Sequence, residues 1–435
     1  MKIEKETPST KITLTNGLTI HLKEIHTAPI ISHWIWYRVG SRNEIPGKTG
    51  ISHWVEHMQF KGTPLFPAGL LDKAISRDGG LWNAFTFLDW TAFFQTMPAD
   101  KIDMALRLEA DRMDNATYDP QEVESERTVV ISEMEGNANE PLFRLGKAVQ
   151  GAAFSTHPYR NEIIGELEDL QSISRDDLYH HYRTYYRPNN AQVCVAGDFD
   201  TNTILARLKE LYGEKAAAPL VNHTISPDPP LNGEKRIEVN GPGETTFVQL
   251  AYRTPAASHP DFFALSVLDS LLTGPSGLNM FGGGGISNKT SRLYQSLVEK
   301  ELTVGVDGSL SATTDPYLYE IIMTIHPDKK PETALAKLNE EIQRLIDVKV
   351  TPEEVQRAIK QARALFAYGA ENITNQAFWL GYADMFDRYQ WFKNYVSHLE
   401  EITPAKIQET AAKYLIPQNR VVGIYVPENG QENAS

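Results

Sequence analysis

The feature that most constrains the fold of this 435-residue chain is an internal repeat: the strand, turn and helix signals of its first half return in the second. Ile12, Leu14, Leu18, Ile20 and Leu22 alternate around Asn16-Gly17, the pattern of a hairpin with a tight turn, and an apolar strand follows over residues 30–39. In the second half Ile237 and Val239 lead into Asn240-Gly241, and residues 247–252 read as a strand. Both halves close alike. A polar helix runs into Tyr185-Tyr186-Arg187-Pro188-Asn189-Asn190 and a strand over 191–196, and the counterpart is Tyr414-Leu415-Ile416-Pro417-Gln418-Asn419 with a strand over 421–426. The offsets agree, 240 − 16 = 224 at the start and 417 − 188 = 229 at the end.

Single cores stop growing at roughly 250–300 residues, so length and repeat both predict two lobes. Residues 216–234 carry four prolines and little periodicity, which makes them the expected linker between a first lobe over 1–215 and a second over 235–435. Strands and helices mix irregularly inside each half. The expected class is therefore α+β, two homologous lobes, each a mostly antiparallel sheet packed with helices. A formal charge of −14 opposes binding to nucleic acid, whose phosphates demand clustered Lys and Arg. No apolar run of about 18 residues is present, so no membrane span is expected. Cys194 is the sole cysteine, which excludes an intramolecular disulfide framework and a Cys-based metal site.

The chemistry concentrates on one helix. From Thr49, read as its N-cap, the chain runs Gly50-Ile51-Ser52-His53-Trp54-Val55-Glu56-His57-Met58. Ile51, Trp54, Val55 and Met58 fall at i, i+3, i+4 and i+7 and form one apolar stripe for the core. At about 100° per residue, His53, Glu56 and His57 share the opposite side. Two imidazoles one turn apart can hold one cation, and a carboxylate beside them can hold and deprotonate a bound water. The order His-x-x-Glu-His inverts the commoner zinc-protease motif. A bland alternative is a solvated face with two unrelated histidines.

Zinc takes a third protein ligand and keeps a fourth position open. Asp119-Pro120-Gln121-Glu122 is a strong helix start, and the helix it opens runs to about Asn139. Glu126 and Glu133 are nearly two turns apart and share a face, whereas Glu135 points about 200° away from Glu133. One of the pair can bind metal and the other support it.

These residues resemble the pitrilysin family of zinc peptidases over nearly the whole chain. The segment from Gly50 to Thr63 is similar to that family's active-site helix, and Glu126-Arg127-Thr128-Val129-Val130-Ile131-Ser132-Glu133 to its second metal helix, 133 − 57 = 76 positions on. The resemblance implies Zn2+ held by His53, His57 and Glu133, with Glu56 as general base and Glu126 orienting the ligands. Gly80-Leu81-Trp82-Asn83-Ala84-Phe85-Thr86 resembles the family's edge strand, where an extended peptide adds to the sheet through main-chain hydrogen bonds; this implies Asn83, Ala84 and Phe85 as substrate-binding residues. His157-Pro158-Tyr159-Arg160 matches the family too. The implied arrangement is a clamshell enclosing an unfolded peptide.

One part of the family pattern is missing. Fully active members carry an Arg and a Tyr seven residues apart just after a Ser-Arg-Leu-Tyr-Gln stretch, and these stabilise substrate and oxyanion. Here Ser291-Arg292-Leu293-Tyr294-Gln295 is present, but the two positions are Val298 and Gly305. The second half offers no substitute metal site either, since residues 262–272 hold only Asp269 as a charged group. The resemblance to members split across two subunits implies a heterodimer whose homologous partner supplies the Arg and Tyr. Such relatives imply a periplasmic location, whereas the N-terminal residues read literally give the cytoplasm.

Other signals lead elsewhere. Gly282 to Gly285 with Ile286-Ser287-Asn288-Lys289-Thr290 hints at a phosphate-binding loop, but Asn288 stands where that loop needs Gly. It better resembles the Gly-rich segment by which the processing peptidase's non-catalytic subunit handles substrate. Gly274-Pro275-Ser276-Gly277 falls short of a nucleophile elbow, with Leu278 in place of the final Gly. His180-His181 reads as a solvated pair on a polar helix. The competing functions are a non-catalytic structural subunit of the same fold, which would usually have lost the metal residues, and an ATP-dependent binding module.

Overall fold

A computed structural model of the chain describes residues 9–221, 224–275, 277 and 288–428. They form two compact units, each built on one sheet. In the first unit the Asn16-Gly17 turn joins β1 (Thr10–Thr13) to β2 (Thr19–Glu24), with Gly17 at φ 86° as a tight turn requires. With β3 (Ile30–Tyr37), β4 (Leu81–Thr86), β5 (Thr91–Pro98) and β6 (Ala191–Gly197), they make a six-stranded sheet in the order β1-β2-β6-β3-β5-β4. Only β2 and β6 run parallel.

The second unit repeats that plan with one strand fewer. It comprises β7 (Lys235–Gly241), β8 (Phe247–Thr254), β9 (Thr303–Leu310), β10 (Tyr317–Ile325) and β11 (Arg420–Pro427), in the order β7-β11-β8-β10-β9. Its one parallel pair is β7 with β11, and the other pairs are antiparallel, so β7, β11, β8, β10 and β9 correspond to β2, β6, β3, β5 and β4. The two closing motifs sit alike, as short 3-10 turns at Pro188–Asn190 and Pro417–Asn419 leading into β6 and β11. Asn240-Gly241 makes no turn. It ends β7, in parallel register with Val426 and Pro427, because β11 lies between β7 and β8 and no hairpin joins them.

The units are not contiguous halves divided near the linker. The first comprises Met1–Met134, Glu162–Ile225 and Ala370–Tyr389, and the second Glu135–Asn161, Ser226–Gly369 and Gln390–Ser435. Packing explains the departure from a break at 216–234: helix Pro141–Ala153 covers β8 and β11 of the second sheet, and helix Ile373–Phe386 covers β3 and β6 of the first. The latter closes an aromatic core in which Trp34 stacks on Phe94 with ring centres 4.3 Å apart and Trp36 meets Phe378 at 5.3 Å. A Cβ on Gly381 would come within 2.2 Å of the Trp36 indole nitrogen, so only glycine permits this approach. Gly423 of β11 has the same task, because its Cβ would fall 2.4 Å from Val149 of the covering helix. Among the described residues no helix is long and apolar enough to cross a membrane.

Candidate metal centre and active site

The histidine helix spans Ile51–Met58. Its stripe is buried as the spacing predicts, with Ile51, Trp54, Val55 and Met58 all in the core. Its start differs from the expected one. Gly50, at φ 85°, is the N-cap and lends no side chain, while Thr49 hydrogen-bonds to Asp169, its Oγ1 donating over 2.6 Å. The orphan N–H groups of the first turn are met by Glu44 instead, whose two carboxylate oxygens accept from Gly50 N and Ser52 N, each at 2.9 Å. Burial pushes the Glu44 carboxyl up to about 8, against these two donors, which favour its ionised form.

The other face of the helix is half-open. His53 and His57 are partly exposed there, and Glu133 reaches them from helix Pro120–Asn137. His53 Nε2 lies 3.9 Å from one Glu133 oxygen and His57 Nε2 lies 3.6 Å from the other. One ligand atom from each of the three residues lies within 4.8 Å of the other two. The Glu133 side chain retains 43% of its exposure, so the cluster opens to solvent on one side.

Glu126, seven residues before Glu133 on the same helix, is buried at 5% exposure and accepts from His57 Nδ1 at 2.8 Å. Its second oxygen is paired with Lys61. A carboxylate accepts only, so the neutral His57 ring carries its proton on Nδ1 and keeps the Nε2 lone pair on the Glu133 side. Burial alone would lift the Glu126 carboxyl; the His57 and Lys61 hydrogen bonds outweigh it and hold the group below its ordinary range. Burial likewise opposes protonation of His57, but Glu126 and the nearby carboxylates raise it. His53 Nδ1 has no hydrogen-bond partner among the described residues, and burial together with His57 pulls the ring down to about 3, so it is neutral at neutral pH.

Glu56 completes the face. It is 7% exposed and accepts from Thr86 Oγ1 at 2.6 Å. Burial pushes its carboxyl up to about 7, with the Thr86 hydrogen bond and His57 opposing. Thr86 is the last residue of β4, the edge strand, which pairs with β5 alone among the described residues. Along that strand Asn83 is exposed and its Oδ1 accepts from Ala84 N at 2.9 Å. Ala84 is buried, Phe85 is half-buried, and Trp82 lies against Phe60 with ring centres 4.8 Å apart.

Glu44, Thr86 and Lys61 were not among the sequence candidates. Lys61 and Thr86 lie inside quoted motifs, whereas Glu44 acts through a loop that folds back and has no periodic signature. His180 is exposed, as a solvated pair requires, but His181 is buried and its Nε2 lies 3.4 Å from Ser52 Oγ. Its place on helix Arg175–Tyr185, which packs on the histidine helix, accounts for the difference. The Gly-rich run 282–285 falls outside the described residues, as does Ser276. Val298 ends the π-helix Tyr294–Val298, and Gly305 lies on β9.

The donor set fits zinc: two imidazole nitrogens and one carboxylate converge, one ring is held neutral by burial and the other is oriented by a buried carboxylate. Fold and site together define a two-unit α+β protein with an inverted zinc-peptidase helix in its first unit. Residues 19–167 match the family described as Insulinase (Peptidase family M16), and residues 172–362 match the Peptidase M16 inactive domain. This chain belongs to the M16, or pitrilysin-type, peptidase family. It is 29% identical over 377 residues to the zinc protease PqqE of Helicobacter pylori, covering 84% of this chain and 81% of that protein. An uncharacterized zinc protease of Mycobacterium leprae is 27% identical over 414 residues, covering 93% and 89%. The crystal structure of a protease from Helicobacter pylori superposes with a TM-score of 0.88 at 26% identity, over 97% of this chain and all (100%) of that one.

Proposed function

We propose that this chain is the metal-binding subunit of a zinc metalloendopeptidase that hydrolyses unfolded peptides or protein segments. The observation that carries the reading is the convergence of His53, His57 and Glu133, from two separate helices, on one small volume. Bound there, zinc would supply a Lewis acid that lowers the pKa of a coordinated water. Glu56 is the general base: buried beside the histidines, with its carboxyl near 7, it can take a proton at neutral pH and return it to the leaving amine. Thr86 fixes that carboxylate and Glu126 fixes the His57 ring. The edge of β4 that is unpaired among the described residues, with Asn83, Ala84 and Phe85, is the proposed docking strand for an extended peptide, which would be recognised mainly by its backbone.

The reading extends to a heterodimer. Val298 and Gly305 provide no side-chain donor for a developing oxyanion, so a homologous partner subunit is proposed to bring the Arg and Tyr. The proposed compartment is the periplasm, on family resemblance, and cell fractionation tests it. Zinc content and hydrolysis of an unstructured peptide, measured with and without the co-purified partner, test the rest, with Glu56→Gln as the control. The expected result is about one zinc per chain, activity that depends on the partner, and its loss in the variant. A chain without zinc is a structural subunit, and equal activity without the partner removes the heterodimer.

A further inference from the structure

The first unit contains a cavity of about 250 Å3 behind the start of the histidine helix, between residues 43–51 and helix Arg175–Tyr185. Ile51, of the buried stripe, forms part of its wall, so the cavity is separate from the face that carries His53 and His57. It opens to solvent. Ile45 and Val221 at its rim keep 54% and 46% of their exposure, and His180 is exposed as well. Large aliphatic side chains left exposed around one hollow are surface that an apolar ligand would cover.

The two walls differ. Ile45, Ile51 and Val221 make one side apolar. The other is a face of helix Arg175–Tyr185, on which Asp177, His180 and Thr184 recur at i, i+3 and i+7. Acceptors prevail on that face. Asp177 Oδ2 takes three donors, Ser174 N at 2.8 Å, Ser174 Oγ at 2.7 Å and Lys48 Nζ at 2.8 Å, while Oδ1 takes none among the described residues. The Asp177 side chain keeps 34% of its exposure, so the carboxylate is open to a ligand. Burial would lift this carboxyl, but the three donors outweigh it and hold the group down to about 2, so it is ionised at neutral pH. The His180 ring makes no hydrogen bond among the described residues, and Thr184 Oγ1 donates to His180 O at 2.7 Å and keeps its lone pairs. Lys48 is already paired with Asp177, so a carboxylate ligand would find no free counter-charge.

We propose that this cavity binds a small organic ammonium ion, a primary amine on a compact apolar body. An ammonium group has three donors and no acceptor, which suits Asp177 Oδ1 and the neighbouring His180 ring, and its apolar body covers Ile45, Ile51 and Val221. Liquid water takes up about 30 Å3 per molecule, so the cavity holds roughly eight non-hydrogen atoms. Ile51 opens the histidine helix, so the occupant packs against the element that carries two of the proposed metal ligands.

Titration of the full zinc-loaded chain with benzylamine, benzyl alcohol and benzoate, followed by saturation-transfer NMR of the ligand, tests the site without reference to peptidase activity. The three probes share a ring and differ in charge. Benzylamine is expected to bind saturably and more tightly than the other two. Asp177→Asn and Ile45→Lys are each expected to weaken it by about tenfold, the first by removing one charge-assisted hydrogen bond and the second by placing a like charge at the rim. Ile45 is exposed, so its replacement leaves the fold intact, and circular dichroism of both variants checks this. Absence of saturable benzylamine binding overturns the proposal. So does alcohol or benzoate that binds as tightly as the amine, and so does amine binding that both variants leave unchanged, which would place the ligand elsewhere on the chain.

Discussion

The histidine helix and helix Asp261–Leu272 follow corresponding strands, β3 and β8, yet their faces are used in opposite ways. In the first, the apolar stripe is buried while His53 and His57 stay accessible. In the second, all twelve residues are buried. Its Asp269 accepts from Thr273 Oγ1 at 2.7 Å and from Tyr319 OH at 2.9 Å, so its lone pairs are used in holding the core together. One position in the fold therefore leaves titratable side chains accessible where the surroundings leave a face uncovered, and serves packing where they close it. A carboxylate next to a helix is not in itself a catalytic group; what decides is whether its lone pairs are already taken.

This contrast predicts a double dissociation. Glu56→Gln is expected to lower kcat by about 10²–10⁴, the usual contribution of a general acid–base group, with zinc content and urea midpoint unchanged. An unchanged kcat would break the contrast. Glu126→Gln acts one step removed: zinc affinity, read by competition with a chelator, is expected to fall about 10–100-fold because the His57 ring loses its charged acceptor. Asp269→Ala should do the opposite of Glu56→Gln, costing about 1–3 kcal/mol in urea unfolding by removing the carboxylate that accepts from Tyr319 and from Thr273, which keeps only its main-chain acceptor, and leaving zinc binding as it was.

The same contrast marks what could be read in the sequence. The stripe Ile51-Trp54-Val55-Met58 is periodic, and periodicity is a local signal, so the helix and its polar face were legible. The Asn16-Gly17 hairpin was legible for the same reason, since turn and strands are adjacent. Asn240-Gly241 carried the same dipeptide and misled, because the partner of β7 comes from residues 420–427, far along the chain. The exchange of covering helices was invisible on the same grounds: nothing within 141–153 or 373–386 states which sheet each will cover. Its trace is a pair of glycines. Gly381→Ala and Gly423→Ala should each cost about 1–3 kcal/mol by overpacking, the first against Trp36 and the second against Val149. If either is neutral by thermal unfolding, the close approach is not what holds that helix in place.

Glu44 is the finest test of how the two helices differ, because it acts on the histidine helix from outside its face. Its carboxyl stands at about 8 in the folded chain, above an ordinary value of 4.5. Between those values the folded protein keeps a proton that the unfolded chain has released, so stability is fully present below about pH 4.5 and declines as pH rises towards 8. Glu44→Gln removes that titration. Its amide can accept at only one oxygen, so one of the Gly50 and Ser52 N–H bonds is lost, at about 1 kcal/mol. The expected result is a variant less stable at pH 5 whose urea midpoint changes less than that of the wild type between pH 5 and 8. Parallel slopes would mean that the two backbone donors keep Glu44 ionised throughout. The N-terminus of the histidine helix would then be held by a fixed charge, and burial would not govern that carboxyl.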